Sequence, residues 1–358
     1  LTETEQRRQT LGVRLPQLKL DALLISSSAN VRYLTDYTGS NGLLLLTCDG
    51  AHFFTDPRYA LASRSISAKL HIVKRGPLIA AAATLVQRKR FKKIGFESAW
   101  LRFEDYTKLK EALPLGSSLH PVGRIVEEQR MVKSASEIAK IRHSVDVNSK
   151  AFFCALKSVK SGQPEQQIGA TLDYQMRLSG AESTAFETIV AAGERSALPH
   201  AHPSGRVLGE NELLLIDMGA SVDGYCSDMT RVAHTGRVPQ RTRDLYDAVL
   251  EAQLAAIDAV RAGIPASKVD AAARNVLKKH KLDRVFVHST GHGLGLEIHE
   301  PPRVAKSEKI RLQAGMAITI EPGAYIEGFG GVRIEDTVAV TETGCEILTP
   351  TPKELFEI

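Results

Sequence analysis

The chain has 358 residues, 43% of them hydrophobic and 24% charged, with a formal net charge of +5. That length exceeds one ordinary core and predicts two domains in a globular protein rather than a disordered one. A mildly basic balance spread over this length gives no ground for a nucleic-acid or membrane-surface role, and no apolar run reaches membrane-spanning length.

Residues 1–130 alternate short apolar runs with helical stretches. DALLIS, GLLLLT, AHFFT, LHIVK and KIGFE read as strands, and PLIAAAATLVQRKR and FEDYTKLKEAL as helices between them. This is a small α/β domain. The basic run RKRFKK (88–93) reads as a solvated helix end entering the strand KIGFE. The Pro-, Gly- and Ser-bearing stretch LPLGSSLHPVGR (113–124) reads as the approach to a domain boundary. The second domain, 131–358, opens on a helix, because Ser134 and Glu137 have capping-box spacing ahead of Ile138, Ile141, Val145, Phe152 and Leu156. Further helices run from Pro164 to Gly180, to near Gly263, and from Ser267, with strands and short turns between them. The polar start LTETEQRRQT lacks the apolar segment of a signal peptide. Cys48, Cys154, Cys226 and Cys345 form no C-x-x-C pair, which predicts reduced, mostly buried thiols and a cytoplasmic setting.

Five residues carry the chemistry: Asp217 in LLLIDMG, Asp228 in GYCSDMTR, His292 in HSTGHGLG, Glu321 in ITIEPG and Glu335 in GGVRIEDT. A single strand acid usually belongs to a solvated edge. Four acids beside apolar strand residues are costly to bury unless cations accompany them. Four negative charges match two divalent metals, which predicts a two-metal hydrolase. The ligand set is oxygen-rich and free of cysteine, so manganese, cobalt or zinc suits it. LIDMG (215–219) and TIEPG (319–323) echo one another, each followed at hairpin spacing by a second acid, as though two related halves each donate an acidic hairpin. Alternation along a strand puts Arg333 and Glu335 on one face and Asp336 on the other, as an outer or strand-end acid.

His288 and His292 have H-x-x-x-H spacing, but Gly291, Gly293 and Gly295 argue against the helix that a zinc motif needs. The run GHGLG also resembles a phosphate loop, yet Pro301 and Pro302 forbid the helix that should follow. The glycines are better read as letting backbone approach the site closely. His299 and Arg303 continue the segment, and His200 and His202 lie in SALPHAHPS.

At this point a resemblance is specific. ALPHAHPS, LLLIDMGASVDGYCSDMTR, HSTGHGLGLEIHEPPR, AITIEPGAYI and GGVRIEDT are similar to the M24 metallopeptidases of the creatinase/aminopeptidase, or pita-bread, fold. NVRYLTDYTGSNGLLLL and FTDPRYAL resemble the creatinase-type N-terminal domain that Xaa-Pro aminopeptidases and Xaa-Pro dipeptidases share. The resemblance implies an α/β N-terminal domain over 1–130 and an α+β pita-bread catalytic domain over 131–358. It implies two divalent metal ions per chain, manganese first with cobalt or zinc as alternatives. Asp228 and Glu335 would bridge them, Asp217 would complete one, and His292 with Glu321 the other.

By the same resemblance Glu321 accepts a proton from water, and His200 and His299 join it as catalytic residues, His200 near the leaving group. His288, Arg303 and Arg333 face or support the substrate, while His202 carries no role beyond local structure. The expected activity is hydrolysis of an N-terminal Xaa-Pro bond by an aminopeptidase. A dipeptidase (prolidase) is the close alternative, and a non-catalytic peptide- or protein-binding member is a remote one. Peptides with proline second and a homodimer partner are implied, with no nucleic acid and no membrane.

Overall fold

The computed structural model describes residues 1–358 and divides them into two compact units, Leu1–Arg130 and Met131–Ile358. No helix is long and apolar enough to cross a membrane.

In the first unit the elements run α1 (Glu3–Gly12), β1 (Ala22–Ile25), α2 (Ser28–Thr35), β2 (Gly42–Thr47), β3 (Gly50–Thr55), β4 (Lys69–Ile72), α3 (Leu78–Lys89), β5 (Lys93–Glu97), α4 (Phe103–Ala112), β6 (Ser118–Val122) and α5 (Ile125–Met131). The strands form one mixed sheet in the order β4-β3-β2-β1-β5-β6. α3 lays Ile79, Ala82, Ala83 and Val86 on Leu24, Leu43, Leu45 and Phe54, which is the apolar face that its 3.6-residue period presents. The stretch read as a boundary approach contains a strand. β6 pairs parallel with β5, from Lys93↔Ser118 to Glu97↔Val122. Its Pro121 obscured it in the sequence, yet proline is tolerated on an edge strand, where one side needs no N–H donor.

The second unit opens with α6 (Ala135–Leu156) and α7 (Glu165–Leu178), followed by β7 (Ser183–Thr184), β8 (Ile189–Ala192), β9 (Leu213–Met218), β10 (Ala220–Val222), β11 (Tyr225–Cys226) and β12 (Met229–His234). A second helix pair follows, α8 (Gln240–Ala259) and α9 (Ala266–Lys279). After it come β13 (Gly291–Gly293), β14 (Glu300–Val304), β15 (Ala317–Ile320), β16 (Gly323–Ile326), β17 (Gly330–Arg333), β18 (Asp336–Val340), β19 (Cys345–Ile347) and β20 (Phe356–Glu357). The capping box forms as the spacing predicts. Ser134 Oγ accepts from the Glu137 N–H at 3.2 Å, and the Glu137 carboxylate accepts from the Ser134 N–H at 3.1 Å.

Two sheets carry the acids, β20-β12-β9-β8 and β14-β13-β15-β18-β19. In the first, β9 pairs antiparallel with β12, placing Asp217 opposite Thr230. In the second, β15 pairs antiparallel with β18, placing Ile320 opposite Asp336. So each half does contribute a pair of antiparallel strands with acids at or beside their ends. β9 is buried on both faces. Leu214, Ile216 and Met218 pack with Val147, Phe152, Leu172 and Met176 of the first helix pair. Leu213 and Leu215 join the core of the second pair, with Val249, Val269, Ile318 and Ile320. Period-two alternation puts Asp217 in the row of Leu213 and Leu215, towards the other half.

Asp336 does point away from Glu335, but it is not an outer acid. Its side chain is fully buried and takes the Arg231 guanidinium at 2.7 Å, the Gln253 amide at 2.9 Å, and Lys353. Arg231, equally buried, also donates to the carbonyls of Glu335, Thr351 and Pro352. The four cysteines are free, but only Cys226 is buried, and Cys48 is exposed. Removing one member of a buried ion pair strands the other without a counter-charge. Asp336→Ala is therefore expected to cost about 3–5 kcal/mol, read as a lower urea midpoint. An unchanged midpoint would show that the remaining acceptors suffice for Arg231.

Candidate metal centre

Asp228, His292 and Glu335 offer ligand atoms that all lie within 4.8 Å of one another. His292 is on β13, where its N–H donates to Thr319 Oγ1 at 3.1 Å. Its ring Nδ1 meets its neighbour's carbonyl, Gly293 O, at 3.0 Å. A carbonyl only accepts, so Nδ1 carries the proton and Nε2 presents a lone pair. That Nε2 lies 3.5 Å from Asp228 Oδ2 and 3.6 Å from Glu321 Oε1. The glycines beside His292 do serve close approach, but to backbone rather than to the centre. A Cβ on Gly291 would stand 1.9 Å from Thr319 O, and one on Gly293 2.4 Å from Pro301 O.

Glu335 follows the end of β17. Its carboxylate accepts from Thr230 Oγ1 at 2.7 Å, and its N–H donates to Thr230 O at 3.2 Å. Glu321, just past β15, donates its N–H to Thr290 O at 2.7 Å. Asp217 is held by Arg333, whose Nη2 donates to Oδ2 at 2.6 Å, while Oδ1 is buried with no partner. Arg333 also donates to Thr230 Oγ1 at 2.9 Å, to Tyr325 Oη at 2.6 Å and to Pro199 O at 3.2 Å.

Because His288 Nδ1 meets Ser289 O, its Nε2 accepts from Tyr325 Oη at 2.8 Å. Arg333, Tyr325 and His288 thus form a directed chain of donors. Tyr325, Thr230 and Thr319 were missed by sequence reasoning. Thr319 and Tyr325 lie in AITIEPGAYI and Thr230 in GYCSDMTR, but nothing local said which distant group each would meet.

The electrostatics show strain without cations. Burial, then repulsion from Glu335, Asp217 and Glu321, holds the Asp228 carboxyl well above the usual carboxylate range. Burial, then Glu321 and Asp217, does the same to Glu335. Glu321 is pushed up to about 8, chiefly by burial. Burial lowers His292 to about 4, leaving a neutral imidazole, the form that ligates metal. Four carboxylates thus share one guanidinium, Arg333. An unpartnered carboxylate oxygen, a neutral imidazole with a free lone pair and excess negative charge fit a divalent-cation site.

The remaining assigned residues lie around these. The His299 ring packs edge-on against His292, 4.4 Å between centroids. Arg303 stands opposite His292 in the β13–β14 register, is exposed, and pairs with no acid. Its charge, like that of His200, helps lower the pKa of His299 beneath the main effect of burial. His200 is exposed and its ring forms no hydrogen bond, whereas His202 meets Glu187 at 3.0 Å on the surface.

Residues 139–342 match metallopeptidase family M24, and residues 7–132 match the creatinase/prolidase N-terminal domain. The chain belongs to metallopeptidase family M24. It is 35% identical to an Xaa-Pro dipeptidase of Pyrococcus horikoshii, over 94% of this chain and 95% of that protein. Among solved structures, an Xaa-Pro dipeptidase from Bacillus anthracis superposes with a TM-score of 0.96 at 36% identity, covering 99% of this chain and 100% of that one. An X-Pro aminopeptidase from Thermotoga maritima gives 0.91 at 34%, covering 96% and 100%. The fold is therefore a creatinase-type N-terminal domain followed in the chain by a pita-bread domain, and the protein is a metal-dependent peptidase.

A ligand that binds only the native state raises its stability, by about 2.7 kcal/mol at a hundred times Kd. Manganese added to chelator-treated protein is expected to raise the melting temperature. Asp228→Asn and Glu335→Gln should each shrink that rise and lower the metal content found by mass spectrometry. Either variant retaining wild-type metal content would remove that residue from the ligand set.

Proposed function

We propose that this protein is an Xaa-Pro dipeptidase (a prolidase), hydrolysing the bond before proline in dipeptides. The observation that carries the choice is Arg303. It stands opposite His292 in the strand register, its charge bears on His299, and it takes no acid of its own although acids crowd the centre. A guanidinium left unpaired there suits a substrate carboxylate, and only a dipeptide puts its carboxylate so close to the scissile bond. The dipeptidases named among the similar proteins favour the same reading. The aminopeptidase reading preferred from sequence alone keeps support from the similarity to the X-Pro aminopeptidase of Thermotoga maritima.

In this reading two divalent ions, manganese first, would be held by Asp228 and Glu335 jointly, with Asp217 serving one and His292 with Glu321 the other. When bound, such ions polarise a carbonyl and lower the pKa of water. The protein's own groups do the rest. Glu321 accepts the proton released as water attacks. The Xaa-Pro bond is a tertiary amide, so its nitrogen must gain a proton to leave. His200 supplies it, being exposed, unbonded, and close enough for its charge to act on His288 and His299. His299, against His292, shapes the same pocket. The directed chain from Arg333 through Tyr325 fixes His288 as a neutral acceptor at Nε2. The homodimer implied by resemblance belongs to this reading, and light scattering at twice 39.0 kDa checks it.

A cleavage panel with added manganese decides substrate length. Xaa-Pro is expected to be cut and Xaa-Pro-Xaa left largely intact. Efficient cutting of the longer peptides would restore the aminopeptidase, and no cutting at all would favour a non-catalytic binding protein. Arg303→Ala should raise KM for dipeptides about 10- to 100-fold, the worth of one hydrogen bond to a charged group. Separately, His200→Ala should lower kcat about 100- to 10,000-fold, with little loss from His202→Ala. The reverse order would transfer the proton-donor role to His202.

A further inference from the structure

His200 has no side-chain partner, so its position depends on the backbone that carries it. That backbone, the segment 192–204, is irregular beyond a short 3-10 turn at Gly193–Ala197 and contains Pro199 and Pro203, which cannot donate. Such a segment needs anchors from outside. One buried carboxylate gathers its two ends. Glu165, the first residue of α7, is fully buried. Its Oε1 accepts from the Ala192 N–H at 2.9 Å, where the segment begins. Its Oε2 accepts from the Ser204 N–H at 3.0 Å and the Ser204 hydroxyl at 2.6 Å, where it ends.

Arg195 closes the arrangement. Its Nε lies 3.0 Å from each Glu165 oxygen, and its Nη2 donates to His202 O at 2.7 Å. Main-chain bonds repeat the tie, from Glu165 N to Arg206 O at 2.9 Å and from Gln166 N to Ser204 O at 3.1 Å. The segment is then held next to His200 by Arg333 on Pro199 O. A carboxylate is unusual in meeting all these demands. It accepts through both oxygens, balances Arg195, and sits favourably in the first turn of a helix.

We infer that Glu165 is a positioning residue for His200, acting through the segment it staples and not by touching substrate or metal. The inference rests on the proposed role of His200 as proton donor. Glutamine at 165 keeps the size but puts an NH2 group where an acceptor is required, so at least one anchor must open. A misplacement of about 1 Å in a catalytic group costs about 100-fold in rate.

The test compares Glu165→Gln, His200→Ala and the double variant with the wild-type enzyme, all loaded with manganese. Glu165→Gln is expected to lower kcat for Xaa-Pro about 10- to 100-fold, with KM and metal content little changed. The double variant should be no slower than His200→Ala, because the group being positioned is already gone. Amide hydrogen exchange should speed up in 193–204 and not in α8 or α9. Ser204→Ala, which removes one donor and is the milder change, should move each readout the same way by less, and serves if Glu165→Gln folds poorly.

Multiplying losses in the double variant, or unchanged exchange in 193–204, would overturn the inference. The two readings fail differently. A wild-type rate in His200→Ala would sink the proton-donor role and with it the positioning of a donor, even where exchange still shows Glu165 anchoring the segment.

Discussion

Mutual repulsion among Asp217, Asp228, Glu321 and Glu335 is the constraint around which the second unit is built. Each acid is buried or nearly so, and Arg333 is the cation that the centre itself provides. Removing even one carboxylate from water costs several kcal/mol after relaxation. A chain spending its own stability in this way must hold the acids apart by rigid means, or they would turn outward to solvent. The two helix pairs and the two sheets supply that rigidity. β9 is packed on both faces, and the strands around Glu335 and Asp336 are buried throughout.

The halves are also locked through the backbones of the acids themselves. Glu335 N–H reaches Thr230 O on the first-half strand, and Arg231 from that strand reaches back to Glu335 O. Thr230 Oγ1 donates to one acid and accepts from the arginine that holds another. A small shift of β12 would therefore disturb Asp217, Glu335 and Arg333 together. The buried Arg231–Asp336 pair is best understood in this light. Its contribution to net stability is modest compared with a hydrophobic replacement, but it fixes the strand end that presents Glu335. Such pairs are a hypothesis of specificity rather than of strength, and its measure is whether metal affinity falls with stability when Asp336 is changed.

Much of this was legible in the chain because the signals are local. The capping box at Ser134 and Glu137, the apolar strands, and the acid placements next to them follow from spacing a few residues long. The two-halves echo was legible from five residues because each copy is followed by its own hairpin partner. What stayed hidden depends on long-range meetings. β6 was obscured by a proline that only an edge position excuses. The burial of Asp336 depends on Arg231, from another strand and 105 residues away. Tyr325 and Glu165 looked like ordinary residues of a strand and a helix start. Their partners lie 37 residues from Tyr325 at His288, and 27 to 39 residues from Glu165 along the segment carrying His200.

Substrate length is where backbone architecture stops being informative. A dipeptidase and an aminopeptidase superpose on this chain with TM-scores of 0.96 and 0.91, so the distinction must lie in side chains rather than in the backbone. Electrostatics narrows the candidates. The centre's negative charge is to be met by metal, and Arg333 is already committed to Asp217, Thr230 and Tyr325. Arg303 is the cation near His292 that has made no such commitment, and its place opposite His292 is fixed by strand register rather than by a flexible loop. On the proposed reading a solvated guanidinium costs little to keep free and gains most when a carboxylate arrives with its own two oxygens to match the fork. A peptide extending beyond proline brings a neutral amide to the same spot, which forfeits the charge–charge part of that interaction. On that reading, discrimination by length needs no lid or wall: it follows from how far the substrate's C-terminal carboxylate lies from the scissile bond.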